Sequence, residues 1–180
     1  MPIAAPIRVF GLTRSYFTRK VTGYFDYKGI PWTLRPFAGG DPEVLAAGWS
    51  GGIPALRTGD GEFMWDSSAV IEYCERVDAA RGVLPPDPTQ PFLCYLLEDL
   101  SDEWLYRCAV GTRWCFPENA EVTGWELGRE VAYEMPLSCD DGRAMVGLRK
   151  DLAVSRHARP QRTGPTLKYV YHQCVITGTR

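Results

Sequence analysis

The sequence predicts an α/β unit over residues 7 to 79 followed by an all-α segment, and three observations carry that prediction. An apolar run, Ile7 to Leu12, is followed by a helical period of aromatic and aliphatic residues and then by a second run from Trp32 to Phe37. Two short apolar runs flank Thr58-Gly59-Asp60-Gly61. Asp-Gly between such runs is among the strongest hairpin signals, because both residues tolerate the positive φ of a tight turn. Beyond a proline-rich stretch, Phe92, Leu93, Leu96, Leu97, Leu100, Trp104, Leu105 and Cys108 recur at helical spacing.

Each element follows from local chemistry. Ile7 to Leu12 reads as a buried strand, and Thr13-Arg14-Ser15 is a polar break. From Tyr16, the residues Phe17, Val21, Tyr24 and Phe25 fall at helical spacing, Lys28-Gly29 closes the helix with a C-cap glycine, and Pro31 prevents continuation. Trp32 to Phe37 is a second strand, placed near an edge by its prolines, so strand, helix and strand form a right-handed parallel βαβ unit. Asp41-Pro42 opens a short helix ending near Gly48. Ile53 to Arg57 and Glu62 to Trp65 make the hairpin, and Asp66-Ser67-Ser68 supplies cap residues for a helix whose apolar face is Ala69, Val70, Tyr73, Cys74 and Val77. Gly82 to Pro91, with four prolines in ten residues, reads as a linker. The long helix after it sets its apolar residues opposite Glu98, Asp99, Asp102 and Glu103, and a second helix is expected around Thr123 to Tyr133. After Met135 only a turn of helix over Ala144–Leu152 and an apolar patch over Tyr169–Ile176 stand out.

Composition narrows the function classes. At 180 residues, 45% hydrophobic and 23% charged, the chain can bury one large core or two small ones. A net charge of -2 argues against nucleic-acid binding by the whole chain. The charge is unevenly spread: residues 135–180 hold eight Lys and Arg against three Asp, and the remainder is acidic. The six cysteines include no CxxC pair, and with only His157 and His172 no metal site is expected. Buried free thiols in a reducing compartment are expected instead. The N-terminus lacks a signal-peptide apolar core, and no run reaches the roughly 18 apolar residues of a membrane span, so a cytoplasmic protein is expected.

Pro54 marks a candidate binding site. A proline lacks the ladder donor and belongs at a strand's start or edge. An X-Pro bond placed there can be cis, which turns the preceding residue's backbone outward. The helix start at Ser67 offers unpaired N–H groups and a positive dipole end, which suit a carboxylate. Together they form a docking site for a short peptide with a free carboxylate. Taken singly, Pro54 is also an ordinary strand start and Ser67 an ordinary cap.

Four motifs then stand in order: Ser15-Tyr16-Phe17, Lys28-Gly29-Ile30-Pro31, Ile53-Pro54-Ala55-Leu56, and Asp66-Ser67-Ser68-Ala69-Val70-Ile71-Glu72-Tyr73. With their gaps, they resemble the cytosolic glutathione transferases, and the stretch Glu98 to Trp114 resembles the start of that family's helical domain. Cys74 stands where the family pattern has Leu. The resemblance covers about residues 7 to 134. It implies a thioredoxin-like glutathione-binding domain over 1–81, a proline-rich linker over 82–91 and a partial helical domain over 92–134. Residues 135–180, unlike the family, net positive and without a sustained apolar period, read instead as a divergent or poorly ordered tail.

The resemblance further implies a serine-type enzyme, like the zeta and theta classes and the cysteine-type omega class. Ser15 lies thirteen residues before Lys28, where those classes carry the catalytic residue. A free thiol has a pKa of about 8.5 and reacts as the thiolate, so a hydroxyl donor at a helix N-terminus is the chemistry required. A plain N-cap role for Ser15 is compatible with it. By the same resemblance, the backbone of Ile53, before a cis Pro54, pairs with the cysteinyl part of glutathione. Asp66 holds the γ-glutamyl ammonium and Ser67 its carboxylate, Phe17 lines the thiol pocket, and Tyr16 faces solvent or the helical domain. Implied partners are glutathione as co-substrate, a hydrophobic electrophile in a detoxifying conjugation, and a second copy in a homodimer. Opposite charges, Arg76 and Arg81 against Glu98, Asp99 and Asp102, would join that dimer. Two other readings stay open: a non-catalytic, glutathione-transferase-like interaction module, and a thiol reductase, which the serine at position 15 disfavours.

Overall fold

In the computed structural model, which describes residues 3–134 apart from 38, 50 and 88, a four-stranded sheet organises the first half of the chain. Its order is β2-β1-β3-β4, with β1 Ile7–Gly11, β2 Trp32–Pro36, β3 Ala55–Arg57 and β4 Phe63–Trp65. β1 and β2 are parallel, joined by α1, Tyr16–Lys28, as the βαβ pattern requires. β3 runs antiparallel to β1 and to β4. β2 is indeed an edge strand, and its Pro36 ends it without costing the interior a donor.

The period-2 alternation of the strands sorts the core into two layers. Ile7, Val9 and Leu56 pack against Val21, Tyr24 and Phe25 of α1 and against Val70 and Cys74 of α3, Ser67–Val77. On the other sheet face, Phe10 and Ala55 meet Phe37 and Val44, the latter from α2, Pro42–Ala46. Each such fully buried Val, Leu or Phe contributes about 1.5–3 kcal/mol. Caps fall where the local signals put them: Gly29 ends α1 at φ 74°, and Asp41 caps α2 through Glu43 and Val44 N–H.

Three expectations need correction. α3 is capped by Asp66, not by a serine, and Ser67 is its first helical residue. Its buried face is Ser67, Val70 and Cys74, while Ala69 and Tyr73 are exposed, because the helix lies against the sheet one position round from the expected stripe. Of the described cysteines, only Cys74 is buried. Cys94, Cys108 and Cys115 are half-buried, so free thiols hold but general burial does not.

The helical part begins with α4, Thr89–Asp99, whose first turn absorbs Pro91 because no intrahelical donor is needed there. Asp87 accepts from Thr89 N–H and Gln90 N–H at its start. α4 runs through a π-helical stretch, Leu100–Leu105, into α5, Tyr106–Cys115. α6, Pro117–Glu134, starts six residues before the expected Thr123, since proline is well suited to a first helical position. The long helix exists, but no residue of α4 is buried. Phe92 is 65% exposed and Leu97 60%. The inward side of α4 is the acidic one. Expectations for residues 135–180, including the turn over 144–152 and the patch over 169–176, lie outside the described residues. Among the described residues, no helix is long and apolar enough to cross a membrane, and no group of His, Cys, Asp and Glu is arranged to hold a metal ion.

Candidate functional site

A cavity of about 660 Å³ opens where the sheet unit meets α4 and the π-helical stretch. Phe17, Ile53, Pro54, Asp66 and Ser67, all picked from the sequence, line it together. Gly51, Gly52, Trp65 and Ser68 complete the sheet side, and Tyr95, Glu98, Asp99, Asp102 and Glu103 form the opposite wall.

Each wall residue is placed by its element. The Ile53–Pro54 peptide is cis, and both residues precede Ala55, where the β3 ladder begins. Gly51 and Gly52, at φ 131° and 84°, bring the chain there, and Trp49 Nε1 donates to Gly52 O at 2.7 Å. Asp66 sits at φ 75°, a conformation uncommon for a residue with a side chain and typical of functional turns. Its Oδ1 accepts from Ser68 N–H at 3.0 Å and Ala69 N–H at 3.1 Å. Ser67 follows, 6% exposed, and its backbone N–H is among the first four of α3, which have no acceptor inside the helix.

The second wall is electrostatic. Lys20, from α1, donates to Ser68 Oγ at 3.1 Å, to Glu98 Oε1 at 2.6 Å and to Asp102 Oδ2 at 2.6 Å. Ser68 Oγ in turn donates to Glu98 at 2.8 Å. Burial works against the Lys20 charge, but its two carboxylate partners outweigh that and hold its pKa above the ordinary lysine value. Burial likewise pushes Glu98 up, and the bonds from Lys20 and Ser68 outweigh it, leaving Glu98 below the usual carboxylate range. The cavity therefore has an acidic wall that favours an ammonium group, an α3 N-terminus that favours a carboxylate, and apolar surface from Phe17, Trp65 and Tyr95.

Sequence reasoning missed Lys20, which carries no motif, and set Glu98 and Asp102 opposite the apolar stripe, for charge pairing with a second copy. The bonds from Lys20 and the lack of burial along the apolar stripe of α4 together reveal the reversal.

Ser15 is not among the wall residues. It caps α1 two residues before Phe17, half-buried, with its Oγ accepting from Thr18 N–H at 3.3 Å. Tyr16 faces the helical part, its ring 6.0 Å from that of Tyr106.

Residues 14–77 match the family model described as glutathione S-transferase, N-terminal domain. A glutathione S-transferase of Pseudomonas putida strain F1 is 29% identical over 114 residues, which are 63% of this chain and 50% of the relative. An uncharacterized GST-like protein of Escherichia coli K12, YibF, is 30% identical over 99 residues, 53% of this chain and 48% of the relative. The chain thus spans about half the length of the curated relatives it matches. Among solved structures, glutathione S-transferase III in apo form aligns over 97% of this chain and 81% of its own at a TM-score of 0.52 and 22% identity. A glutathione S-transferase of Methylobacillus flagellatus with glutathione bound aligns over 96% and 98% at 0.51 and 18%. At such identities these two structures speak to the fold alone.

Proposed function

We propose that the chain, whose residues 14–77 match the glutathione S-transferase N-terminal domain, binds glutathione in the 660 Å³ cavity and adds the glutathione sulfur to a hydrophobic electrophile. The observation that carries this reading is the convergence of Phe17, Ile53, Pro54, Asp66 and Ser67 on one cavity at a helix N-terminus. The γ-glutamyl carboxylate meets Ser67 N–H and hydroxyl. Its ammonium meets Asp66, whose cap bonds both fall on Oδ1, with the acidic wall beyond. The cysteinyl backbone lies along Ile53, and the thiol points past Phe17 toward the start of α1.

There Ser15 has a free role to play. A hydroxyl carries one donor and two acceptor sites, so accepting from Thr18 N–H leaves its hydrogen for the sulfur. A hydrogen bond to a charged group supplies roughly 1.5–3 kcal/mol, and the helix dipole about 0.3–1 kcal/mol. One to two pKa units below the free thiol require about 1.4–2.7 kcal/mol, so the two suffice. The thiolate then attacks the electrophilic carbon, the carbon–sulfur bond forms as the leaving group departs, and the thiol proton passes to solvent.

Ser15→Ala should keep glutathione affinity within about twofold and slow turnover ten- to a hundredfold, from about 1.4–2.7 kcal/mol. The check is the pH dependence of conjugation against several electrophile classes. An unchanged rate and profile would leave Ser15 a helix cap only.

A non-catalytic module is the second reading, favoured by the position of Ser15 off the cavity wall. Retention on immobilised glutathione without turnover of any electrophile would select it. Reductase chemistry is disfavoured by the serine at position 15, and no cysteine is among the described wall residues. A cytoplasmic, detoxifying role belongs to the same proposal.

A further inference from the structure

The four residues Leu12–Ser15 between β1 and α1 are gripped by the far end of the described chain. Thr13 N–H donates to both carboxylate oxygens of Glu130, at 2.9 and 3.1 Å. The Arg14 guanidinium pairs with Glu126. Arg113 Nη2 donates to the Arg14 carbonyl at 2.6 Å. Leu12 packs against Leu127 and Val131. Glu126, Leu127, Glu130 and Val131 lie on one side of α6, where i, i+1, i+4 and i+5 are neighbours. Within the segment itself, the bond that closes the turn is Ser15 N–H to Leu12 O, at 2.9 Å.

We propose that Glu130 and Arg113 are positioning residues for Ser15, so that the helical part sets where the Ser15 hydroxyl points. The inference rests on the glutathione reading above. Arg113 holds the carbonyl of the very peptide group that enters Ser15, and Glu130 holds the N–H of the Leu12–Thr13 peptide group, whose carbonyl accepts from Ser15 N–H. The two arginines and two glutamates balance in charge, and Glu130 takes the single Thr13 N–H between both of its carboxylate oxygens, a charge-assisted hold on that backbone group. Thr13 and Arg14 are exposed, so burial does not define their conformation. Misplacing a reacting group by about 1 Å can cost on the order of a hundredfold in rate. Neither residue lines the cavity, so the grip acts on the hydroxyl and leaves the peptide-holding wall alone.

The test uses the full chain with Arg113→Met, Arg113→Lys, Glu130→Ala and Glu130→Gln, and Ser15→Ala in parallel. Two measurements are made: amide hydrogen exchange across residues 12–18 without glutathione, and the kinetic constants with the pH midpoint of the bound glutathione thiolate absorbance. Arg113→Met and Glu130→Ala should quicken exchange across 12–18 and lower kcat by about ten- to a hundredfold. Both should raise the thiolate midpoint toward that of Ser15→Ala, with KM for glutathione held within about twofold. Arg113→Lys and Glu130→Gln, which keep one donor or one acceptor, should recover part of each effect. Unchanged exchange overturns the grip, and so does a loss of stability that moves kcat and KM together with no shift of the midpoint. If the wild type binds no glutathione, the glutathione reading fails. If glutathione binds but Ser15→Ala leaves the midpoint where it was, Ser15 is a helix cap only and the positioning role is overturned. In both cases the exchange data still decide whether α5 and α6 hold the loop.

Discussion

Lys28 is the most enclosed ion-paired charge among the described residues, its side chain 0% exposed. Its ammonium meets Glu75 at 3.1 Å and the carbonyls of Asp78 and Ala80 at 2.7 and 2.5 Å. Glu75 also accepts from Tyr24 OH at 2.7 Å and Val83 N–H at 2.9 Å. The lysine of the Lys28-Gly29-Ile30-Pro31 motif thus ties the end of α1 to the chain leaving α3. Lys28→Met should cost about 1.5–3 kcal/mol, the worth of hydrogen bonds to a charged group, because the half-buried Glu75 loses its cation, and urea unfolding will measure it. Burial raises the Glu75 pKa, but the bonds from Tyr24, Val83 and Lys28 outweigh it and hold the value below the ordinary 4.5. A depressed carboxylate contributes stability above the unfolded pKa and loses it as pH falls through the folded one. Glu75→Gln should therefore flatten the acid limb of the stability curve. At Gly11 the constraint is space: an added Cβ would collide with Thr18 Oγ1, itself buried without a hydrogen-bond partner. Gly11→Ala should cost about 1–3 kcal/mol. Adding Thr18→Ala should restore most of it, since that change removes the obstructing atom and no hydrogen bond.

At the scale of elements, the long helix over 89–115 turns its acidic side toward the sheet unit and leaves Phe92, Leu93, Leu96 and Leu97 exposed. Two carboxylates four residues apart, Glu98 and Asp102, reach one lysine across the junction into the π-helical stretch, an irregularity often found at functional sites. Lys20→Met should lower stability by about 1.5–3 kcal/mol, the worth of hydrogen bonds to a charged group, as thermal unfolding will report. The pair also sets two pH limits of opposite sign. The Glu98 contribution is lost as pH falls through its depressed pKa, and the Lys20 contribution as pH rises through its raised one. Both limits should vanish together in Lys20→Met.

For the whole molecule, the homodimer remains a proposal whose basis has moved. Glu98 and Asp102 are bound to Lys20 within the chain, so they no longer serve the charge pairing expected of them, and Arg81 lies over the Tyr27 ring at 4.9 Å. The apolar ridge of α4 is the surface a second copy would cover. Leu93→Glu with Leu97→Glu should then give a monomer by sedimentation at micromolar concentration where the wild type is a dimer. A monomeric wild type would remove the idea.

What the sequence determined by itself is what short stretches decide: the β-α-β-α-β-β-α order, the C-cap at Gly29, the Asp41 cap, the hairpin over Asp60-Gly61, and five of the six chosen site residues as neighbours in one cavity. Those signals act through backbone conformation and hydrogen bonds a few residues apart, so they are written locally. Packing alone decided which side of α4 turns inward, since its apolar and acidic stripes are equally good helical faces until Lys20 stands opposite one of them. Packing also set the burial of Lys28, and the hold of Glu130 on Thr13, 117 residues away along the chain. A long-range charged hydrogen bond depends on where two elements come to rest against each other, and no periodicity within either element encodes that distance.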